Sequence, residues 1–195
     1  NAFFEAFTMT TKDILVAVIG LDQPGVVAAT AETLTRLDCN IEQMTQTTLR
    51  HQFTSIYLVN KPEGLDNDNI VLELRTAFQA KKFHLSVSIR DYEEPKASQV
   101  IEGEPFVISV WGPDRNDIIG TFARICAEQS INVESLKAFR IENDQSLQGF
   151  DVVVPVTVDT RALHRVMGER AKAMGLRMNM QHAAIFEAIH RVRVD

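Results

Sequence analysis

The architecture of this chain follows from one stretch, GLDQPGVVAATAETLTRLDCNIE (residues 20–42). Residues 14–19 before it form an apolar run typical of a buried strand. Asp22, Pro24 and Gly25 are residue types that favour a turn. After the turn, apolar residues recur at helical spacing: Val26, Val27, Ala31, Leu34 and Leu37. Because the final NIE opens another extended segment, the stretch predicts a strand, a turn, a helix and a second strand.

The same pattern occurs a second time, at residues 112–134, which read GPDRNDIIGTFARICAEQSINVE. The offset between the copies is 92 residues (112 − 20). Six identical pairs fall at this offset: Val18/Val110, Gly20/Gly112, Asp22/Asp114, Ala31/Ala123, Asn40/Asn132 and Glu42/Glu134. An internal repeat of this length predicts two copies of one fold in tandem, each of roughly 80–90 residues.

Each copy is predicted to have the strand and helix order βαββαβ, a ferredoxin-like module of the α+β class with an antiparallel sheet and helices on one face. The predicted boundaries are an N-terminal lead (1–12), module 1 (13–91), a polar linker (92–104), module 2 (105–182) and a helical tail (183–195).

Three finer predictions concern the loops. Alignment of Phe53 with Phe150, which are 97 apart (150 − 53), gives the second hairpin five extra residues (97 − 92). Residues 61–64 (KPEG) are predicted to break the chain after the third strand. Asn69 is predicted to cap the second helix.

Composition limits the class of protein. The 195 residues carry a net charge of −6 and no block of Lys and Arg, which disfavours direct binding to nucleic acid. Cys39 and Cys126 are predicted to be buried reduced thiols rather than a disulfide, which fits a cytoplasmic location. No apolar run approaches the roughly 20 residues that span a bilayer, and no signal peptide is visible, so a membrane location is not expected.

The repeated strand, D-x-P-G turn, helix and N-I-E segment resembles the ACT domain, a small-molecule regulatory module. The first copy carries the pattern in full, whereas Asn116 and Asp117 replace the Pro-Gly pair in the second. The resemblance implies modules that pair side by side, within a chain or between chains, and bind an amino acid at the interface. It also implies regulation through a protein partner, such as a DNA-binding regulator, and self-association of the chain.

The resemblance also implies which residues contact the ligand. In the first copy these are Asp22, Pro24, Gly25, Val26, Asn40 and Ile41, and in the second Asp114, Asn116, Asn132 and Val133. The chemistry suits a small amino acid, with glycine or serine expected first. Backbone N–H groups at Gly25 and Val26 can hold a carboxylate, Asn40 offers a donor and acceptors, and Asp22 can offset an ammonium group.

A structural interpretation of the same residues stays open. The D-x-P-G segment can be only a turn that begins a helix, and Asn40 can hold a kink by adopting a left-handed backbone. The sequence contains no G-x-S-x-G, P-loop, H-E-x-x-H or C-x-x-C motif, and its five histidines lack metal-ligand spacing. We therefore expect a protein without catalytic residues, cofactor or metal. The alternative is a scaffold or interaction protein with a vestigial ligand site.

Overall fold

The computed structural model describes residues 11–96 and 102–191. The chain divides into two compact units between Glu94 and Pro95, and each is described by itself. Most of the predicted lead, the middle of the predicted linker and the last residues of the predicted tail lie outside the described residues. The module boundaries therefore stay predictions. Within the described residues, no helix is long and apolar enough to cross a membrane.

The first unit is a four-stranded antiparallel sheet with two helices. Its elements are β1 (Thr11–Leu21), α1 (Val26–Arg36), β2 (Asn40–Leu49), β3 (Gln52–Pro62), α2 (Asn67–Ala80) and β4 (Leu85–Asp91). The strands lie in the order β2-β3-β1-β4. The D-x-P-G residues connect β1 to α1, so the loop lies at the end of a central strand.

The second unit repeats this topology. Its elements are β5 (Gly103–Pro113), α3 (Ile118–Glu128), β6 (Asn132–Ile141), β7 (Gln145–Pro155), α4 (Thr160–Ala173), β8 (Arg177–His182) and α5 (Ala183–Arg191). The strand order β6-β7-β5-β8 matches that of the first unit. The prediction of two ferredoxin-like modules in tandem is therefore confirmed.

Each module has its own core between the sheet and its helices. In module 1, alternate residues of β1 point inward, and Ile14, Val16 and Val18 are fully buried. They pack with buried apolar residues of α1 and α2, such as Leu34 and Leu74. Burying an aliphatic side chain of this size contributes about 1.5–3 kcal/mol, so this face holds the sheet and helices together.

The hairpin prediction for module 2 is wrong. Val16 of β1 lies opposite Tyr57, and Ile108 of β5 lies opposite Phe150, so Phe150 occupies the place of Tyr57 and not of Phe53. The turns contain two residues (50–51) in module 1 and three (142–144) in module 2. The second hairpin is thus one residue longer, and the prediction failed because Phe53 was matched to Phe150, which lies two inward positions further along the strand.

The segment after the third strand also differs from its prediction. β3 continues through Lys61 to Pro62, which lies opposite Thr11, so the break comes later than predicted. Helix α2 begins at Asn67, and its N-cap is Asp66, whose carboxylate accepts a hydrogen bond from the backbone N–H of Asp68 at 3.3 Å. Asn69 lies within the first helical turn and is not the cap.

Candidate functional site

The β1–α1 loop of module 1 is an exposed turn tied to the neighbouring hairpin. The backbone N–H of Asp22 donates to the carbonyl oxygen of His51 at 2.8 Å. Asp22, Pro24 and Gly25 are exposed, whereas Val26 is buried. The predicted contact residues Asp22, Pro24 and Gly25 therefore lie on the surface in a loop that is held by this hydrogen bond. Val26, the first helical residue, packs in the core.

The N-terminus of α1 lacks a side-chain cap. Gly25 occupies the N-cap position with φ +96° and forms no side-chain hydrogen bond. Among the described residues, the backbone N–H groups of Val27 and Ala28 have no acceptor. Free N–H groups and the positive end of the helix dipole attract an anion. Only Gly adopts this backbone without strain, and a Cβ there would meet Phe83 Cζ at 3.6 Å.

Gln23, the variable residue of the D-x-P-G turn, is a polar feature that sequence reasoning missed. Its side-chain Oε1 atom is buried and has no hydrogen-bond partner among the described residues. An unsatisfied buried acceptor costs free energy and is an exception in native proteins. No sequence signal marks it, because glutamine at a variable turn position is ordinarily a solvated side chain.

In the corresponding loop of module 2, both aspartates form ion pairs with arginines of the same module. Arg140 donates from Nε to Asp114 Oδ2 at 2.8 Å, and its Nη2 also donates to that oxygen. Arg115 binds both carboxylate oxygens of Asp117, at 2.9 and 2.8 Å, and this hydrogen bonding lowers the pKa of Asp117. Asn116 is exposed between them. The carboxylate of Asp114 is thus already paired with a cation of its own chain.

The structure does not bring Asn40 and Ile41 to the loop of their own module. Asn40 lies opposite Asn60 on β3, whereas Gly20, just before the loop, lies opposite Phe53. These positions on β3 are seven residues apart (60 − 53), or roughly 23 Å along a strand. In module 2, Asn132 and Val133 are separated from their loop in the same way, since Asn132 lies opposite Val153 and Gly112 opposite Ser146.

The repeated N-I-E segment has a structural role in both modules. The register of β2 shifts between Ile41 and Gln43, and that of β6 shifts between Val133 and Ser135, so Glu42 and Glu134 are bulged residues. The left-handed backbone before these strands belongs to Asp38 (φ 57°) and Ser130 (φ 55°). The interpretation that Asn40 adopts a left-handed backbone is therefore wrong.

The two cysteine thiols and the potential metal ligands among the described residues do not form a further candidate site. Cys39 and Cys126 are free, buried thiols, as predicted. Burial raises the pKa of Cys126 to about 11. Burial also raises the pKa of Cys39, although the charge of Lys61 opposes this. Within the described residues, no group of three or more His, Cys, Asp or Glu side chains is arranged to hold a metal ion.

Comparison with known proteins identifies the family. The sequence profile of the ACT domain matches residues 12–90. The UPF0237 protein of Methanopyrus kandleri is 37% identical over 75 residues, which are 38% of this chain and 80% of the relative. The UPF0237 protein of Streptococcus mutans is 33% identical over 75 residues, covering 38% of this chain and 81% of the relative.

Two crystal structures share the fold across both modules. An unknown protein from Galdieria sulphuraria has a TM-score of 0.70 at 18% identity, over 89% of this chain and 99% of the other. A protein provisionally assigned as a glycine cleavage system transcriptional repressor has a TM-score of 0.65 at 19% identity, over 88% of this chain and 96% of the other. The chain therefore belongs to the ACT domain family, with UPF0237 proteins as relatives of its first module, and is a tandem ACT regulatory protein.

Proposed function

We propose that this protein binds a small free amino acid, with glycine and serine as first candidates, and passes the signal to a protein partner without catalysing a reaction. The ACT domain is a regulatory module, and the candidate residues supply groups that suit an amino acid. The loop of module 1 provides free N–H groups for the carboxylate, and Asp22 and the buried Gln23 Oε1 provide acceptors for the ammonium group.

The observation that carries this proposal is the uncapped N-terminus of α1. The chain caps the second helix of each module with an aspartate: Asp66 accepts one backbone hydrogen bond and Asp159 accepts two. The first helix has no such cap, although Asp22 lies only three residues before Gly25. A ligand carboxylate would satisfy the free N–H groups that the chain leaves without a partner.

The distance between the two halves of the motif supports a site shared by two copies of the chain. Asn40 lies roughly 23 Å from the loop of its own module, beyond the reach of any single amino acid. A second copy packed side by side in the opposite direction would present its Asn40 and Ile41 to this loop. The proposed ligand would then be held between copies, and the protein would be a homo-oligomer.

The proposed mechanism is a shift between two arrangements of the copies. A ligand that contacts both favours the arrangement in which the loop and the partner copy's strand meet, and the effector protein prefers one arrangement. A transcription regulator of glycine cleavage is the first candidate effector, because one structural relative is provisionally assigned as a repressor of that system. The net charge of −6 favours a protein effector over direct DNA contact. Specific DNA binding by the purified chain alone would contradict this part.

The proposal is tested by a thermal-shift screen against the twenty amino acids, followed by calorimetry. A ligand at 100 times its Kd stabilises the folded state by about 2.7 kcal/mol, and we expect this for one or two amino acids. Gly25→Val should abolish the shift, because the added side chain strains the loop and crowds the N–H groups. Asn40→Ala should abolish it as well, whereas Asn179→Ala, which removes an exposed asparagine of β8 in module 2, is the control and should retain it.

A scaffold with a vestigial ligand site is the second candidate, and the loop of module 2 favours it. There the carboxylates of Asp114 and Asp117 are paired with Arg140 and Arg115, so that copy keeps the fold although its loop carboxylates are not free to accept from a ligand ammonium group. If no amino acid stabilises the protein, and Gly25→Val still binds the same effector as the parent, the scaffold is supported and the sensor is excluded.

A further inference from the structure

A second polar cleft lies at the end of module 1 opposite the β1–α1 loop. It is open to solvent and has a volume of about 450 Å³, within the range of small-ligand sites. Its place follows from the register, since Lys12 at the start of β1 lies opposite Lys61 near the end of β3. The polar residues that line it are Lys12, Lys61, Glu63, Asp66, Asn67 and Asp91.

Lys61 is the unusual member of this cleft, because its side chain is buried with only 4% of the residue exposed. Its ammonium group donates to the carbonyl oxygen of Leu65. Among the described residues, no carboxylate lies within 4 Å of that ammonium group. A buried charge without an opposite charge destabilises a folded protein. An anionic ligand that pairs with the Lys61 ammonium group would therefore stabilise the folded module.

The neighbouring carboxylate of Asp91 is already engaged. Its Oδ2 accepts from Lys12 Nζ at 2.5 Å, and its Oδ1 accepts from Asn67 Nδ2 at 3.1 Å. The hydrogen bond from Lys12 is the main cause that lowers the pKa of Asp91. Both of its oxygens therefore already accept from other donors, and Lys61 acts on Asp91 only through its charge, without a contact within 4 Å.

Module 2 shows that the fold does not require a lysine at this position. Lys12 lies opposite Lys61 in module 1, and Glu104 lies opposite Val154 in module 2, so Val154 is the counterpart of Lys61. Val154 is buried with 1% exposure. An apolar side chain thus completes the same core at this place without the cost of a buried charge, which indicates a function for Lys61 beyond packing.

Asn67 supplies an independent observation on the same cleft. Its Oδ1 atom is buried and has no hydrogen-bond partner among the described residues. Its Nδ2 group donates to Asp91, which fixes the orientation of the amide and identifies the unpaired atom as an acceptor. The cleft therefore offers a cation that no carboxylate contacts and an unpaired acceptor, which complement an anion and a donor in one ligand.

We propose that this cleft binds a small zwitterion of the free α-amino acid class. The ligand carboxylate pairs with the Lys61 ammonium group, and the ligand ammonium donates to Asn67 Oδ1. Two lysines and three carboxylates line the cleft, for a balance of −1 (2 − 3), which opposes a phosphate dianion. This site is separate from the β1–α1 loop, and the two proposed sites rest on different residues and different observations.

The test is an NMR titration of the full chain labelled with ¹⁵N, with glycine, acetate and inorganic phosphate as separate probes. Glycine should shift the backbone amides of residues 61–67, with weaker shifts from acetate, which lacks the ammonium group, and none from phosphate. Lys61→Met should weaken glycine binding at these residues by about tenfold or more, because the charge partner is removed. Lys61→Val, which copies module 2, is the second variant if Met packs poorly.

Controls separate this site from the loop. Lys172→Met removes an exposed lysine of α4 and should leave the glycine titration unchanged. Gly25→Val should remove shifts at residues 22–28 and retain those at 61–67, so failure of one site does not affect the conclusion about the other. The cleft proposal is overturned if folded Lys61→Met or Lys61→Val binds glycine at residues 61–67 as the parent does. It is also overturned if glycine leaves these residues unshifted, or if phosphate binds there in preference to glycine.

Discussion

At the scale of single residues, the buried thiol of Cys126 gives a direct test of the core. Its pKa is raised to about 11 by burial, so the reactive thiolate is rare at neutral pH. Because the pKa of the folded thiol lies above the ordinary value of about 9 for an exposed thiol, the unfolded thiol ionises first as pH rises. The stability that Cys126 contributes is therefore fully present below about pH 9 and is lost as pH rises towards 11. We expect native Cys126 to resist iodoacetamide at pH 8, with labelling rising towards pH 11.

Mass spectrometry of labelled peptides measures this prediction. The chain unfolded in urea is the control, and there Cys39 and Cys126 should react alike. Rapid labelling of native Cys126 at pH 8, at the rate seen in urea, would show that the thiol is not held in the core.

Two glycines predict opposite effects of the same substitution. A Cβ at Gly20 would lie 2.4 Å from the backbone carbonyl oxygen of His84, whereas a Cβ at Gly120 in α3 would meet nothing within 4 Å. Gly20→Ala must displace the start of β4 and should destabilise by about 1–3 kcal/mol. Gly120→Ala should stabilise by about 0.5–1 kcal/mol through helix propensity. Urea unfolding measures both: a Gly20→Ala variant as stable as the parent would contradict the close approach at Gly20, and a destabilised Gly120→Ala variant would contradict the open position in α3.

The sequence could have predicted that Lys61 lies on the inner face of β3, but not that no carboxylate contacts it. Phe53, Ser55, Tyr57 and Val59 occupy alternate inward positions of β3, and Lys61 is the next member of that series. The alternation thus places the lysine on the inner face, while the Pro-Glu-Gly that follows suggested a break. Whether a buried charge is paired depends on residues distant in sequence, such as Asp91, and only the folded geometry determines it.

At the scale of elements, the aspartate caps of α2 and α4 predict which of two alanine substitutions lowers the free energy of unfolding more. Asp159 accepts from the N–H groups of Arg161 and Ala162 at 2.9 and 3.1 Å, whereas Asp66 accepts from Asp68 alone at 3.3 Å. Replacement of a capping aspartate by alanine costs about 1 kcal/mol, within a range of 0.5–2. Asp159→Ala should therefore cost more than Asp66→Ala, and amide exchange in the first turn should accelerate in each helix.

Hydrogen exchange followed by NMR measures these local effects. Asp68→Ala is the control, because it removes a first-turn charge without removing the cap and should cost only the smaller dipole contribution. If Asp66→Ala destabilises as much as Asp159→Ala, the number of capped N–H groups does not determine the cost.

The elements also show where sequence comparison succeeds. The β1–α1 unit and its repeat were predictable, because apolar period, turn residues and offset agree over more than 20 residues. The hairpins were not, because Phe53 and Phe150 are the same residue type at different places in the register. Likewise, the separation of Asn40 from the loop depends on strand pairing, which a short motif does not reveal.

At the scale of the whole molecule, the two modules have separate cores. The buried apolar cluster of module 1 contains residues from Ile14 to Val87, and that of module 2 contains residues from Ile108 to Leu176. A cavity in one core therefore removes contacts from that module alone. Leu74 and Met167 are both fully buried, at 0% exposure, one on the second helix of each module.

This separation predicts that a core substitution acts on one module. Leu74→Ala and Met167→Ala should each destabilise the affected module by about 2–5 kcal/mol. The single tryptophan of the chain, Trp111, lies in β5, so its fluorescence during urea unfolding reports module 2. Met167→Ala should lower that midpoint and Leu74→Ala should leave it unchanged.

Hydrogen exchange read by mass spectrometry provides the reverse comparison for module 1, where Leu74→Ala should accelerate exchange in residues 11–94. If Leu74→Ala lowers the Trp111 midpoint as much as Met167→Ala does, the modules unfold as one cooperative unit, and independent cores do not produce independent stability.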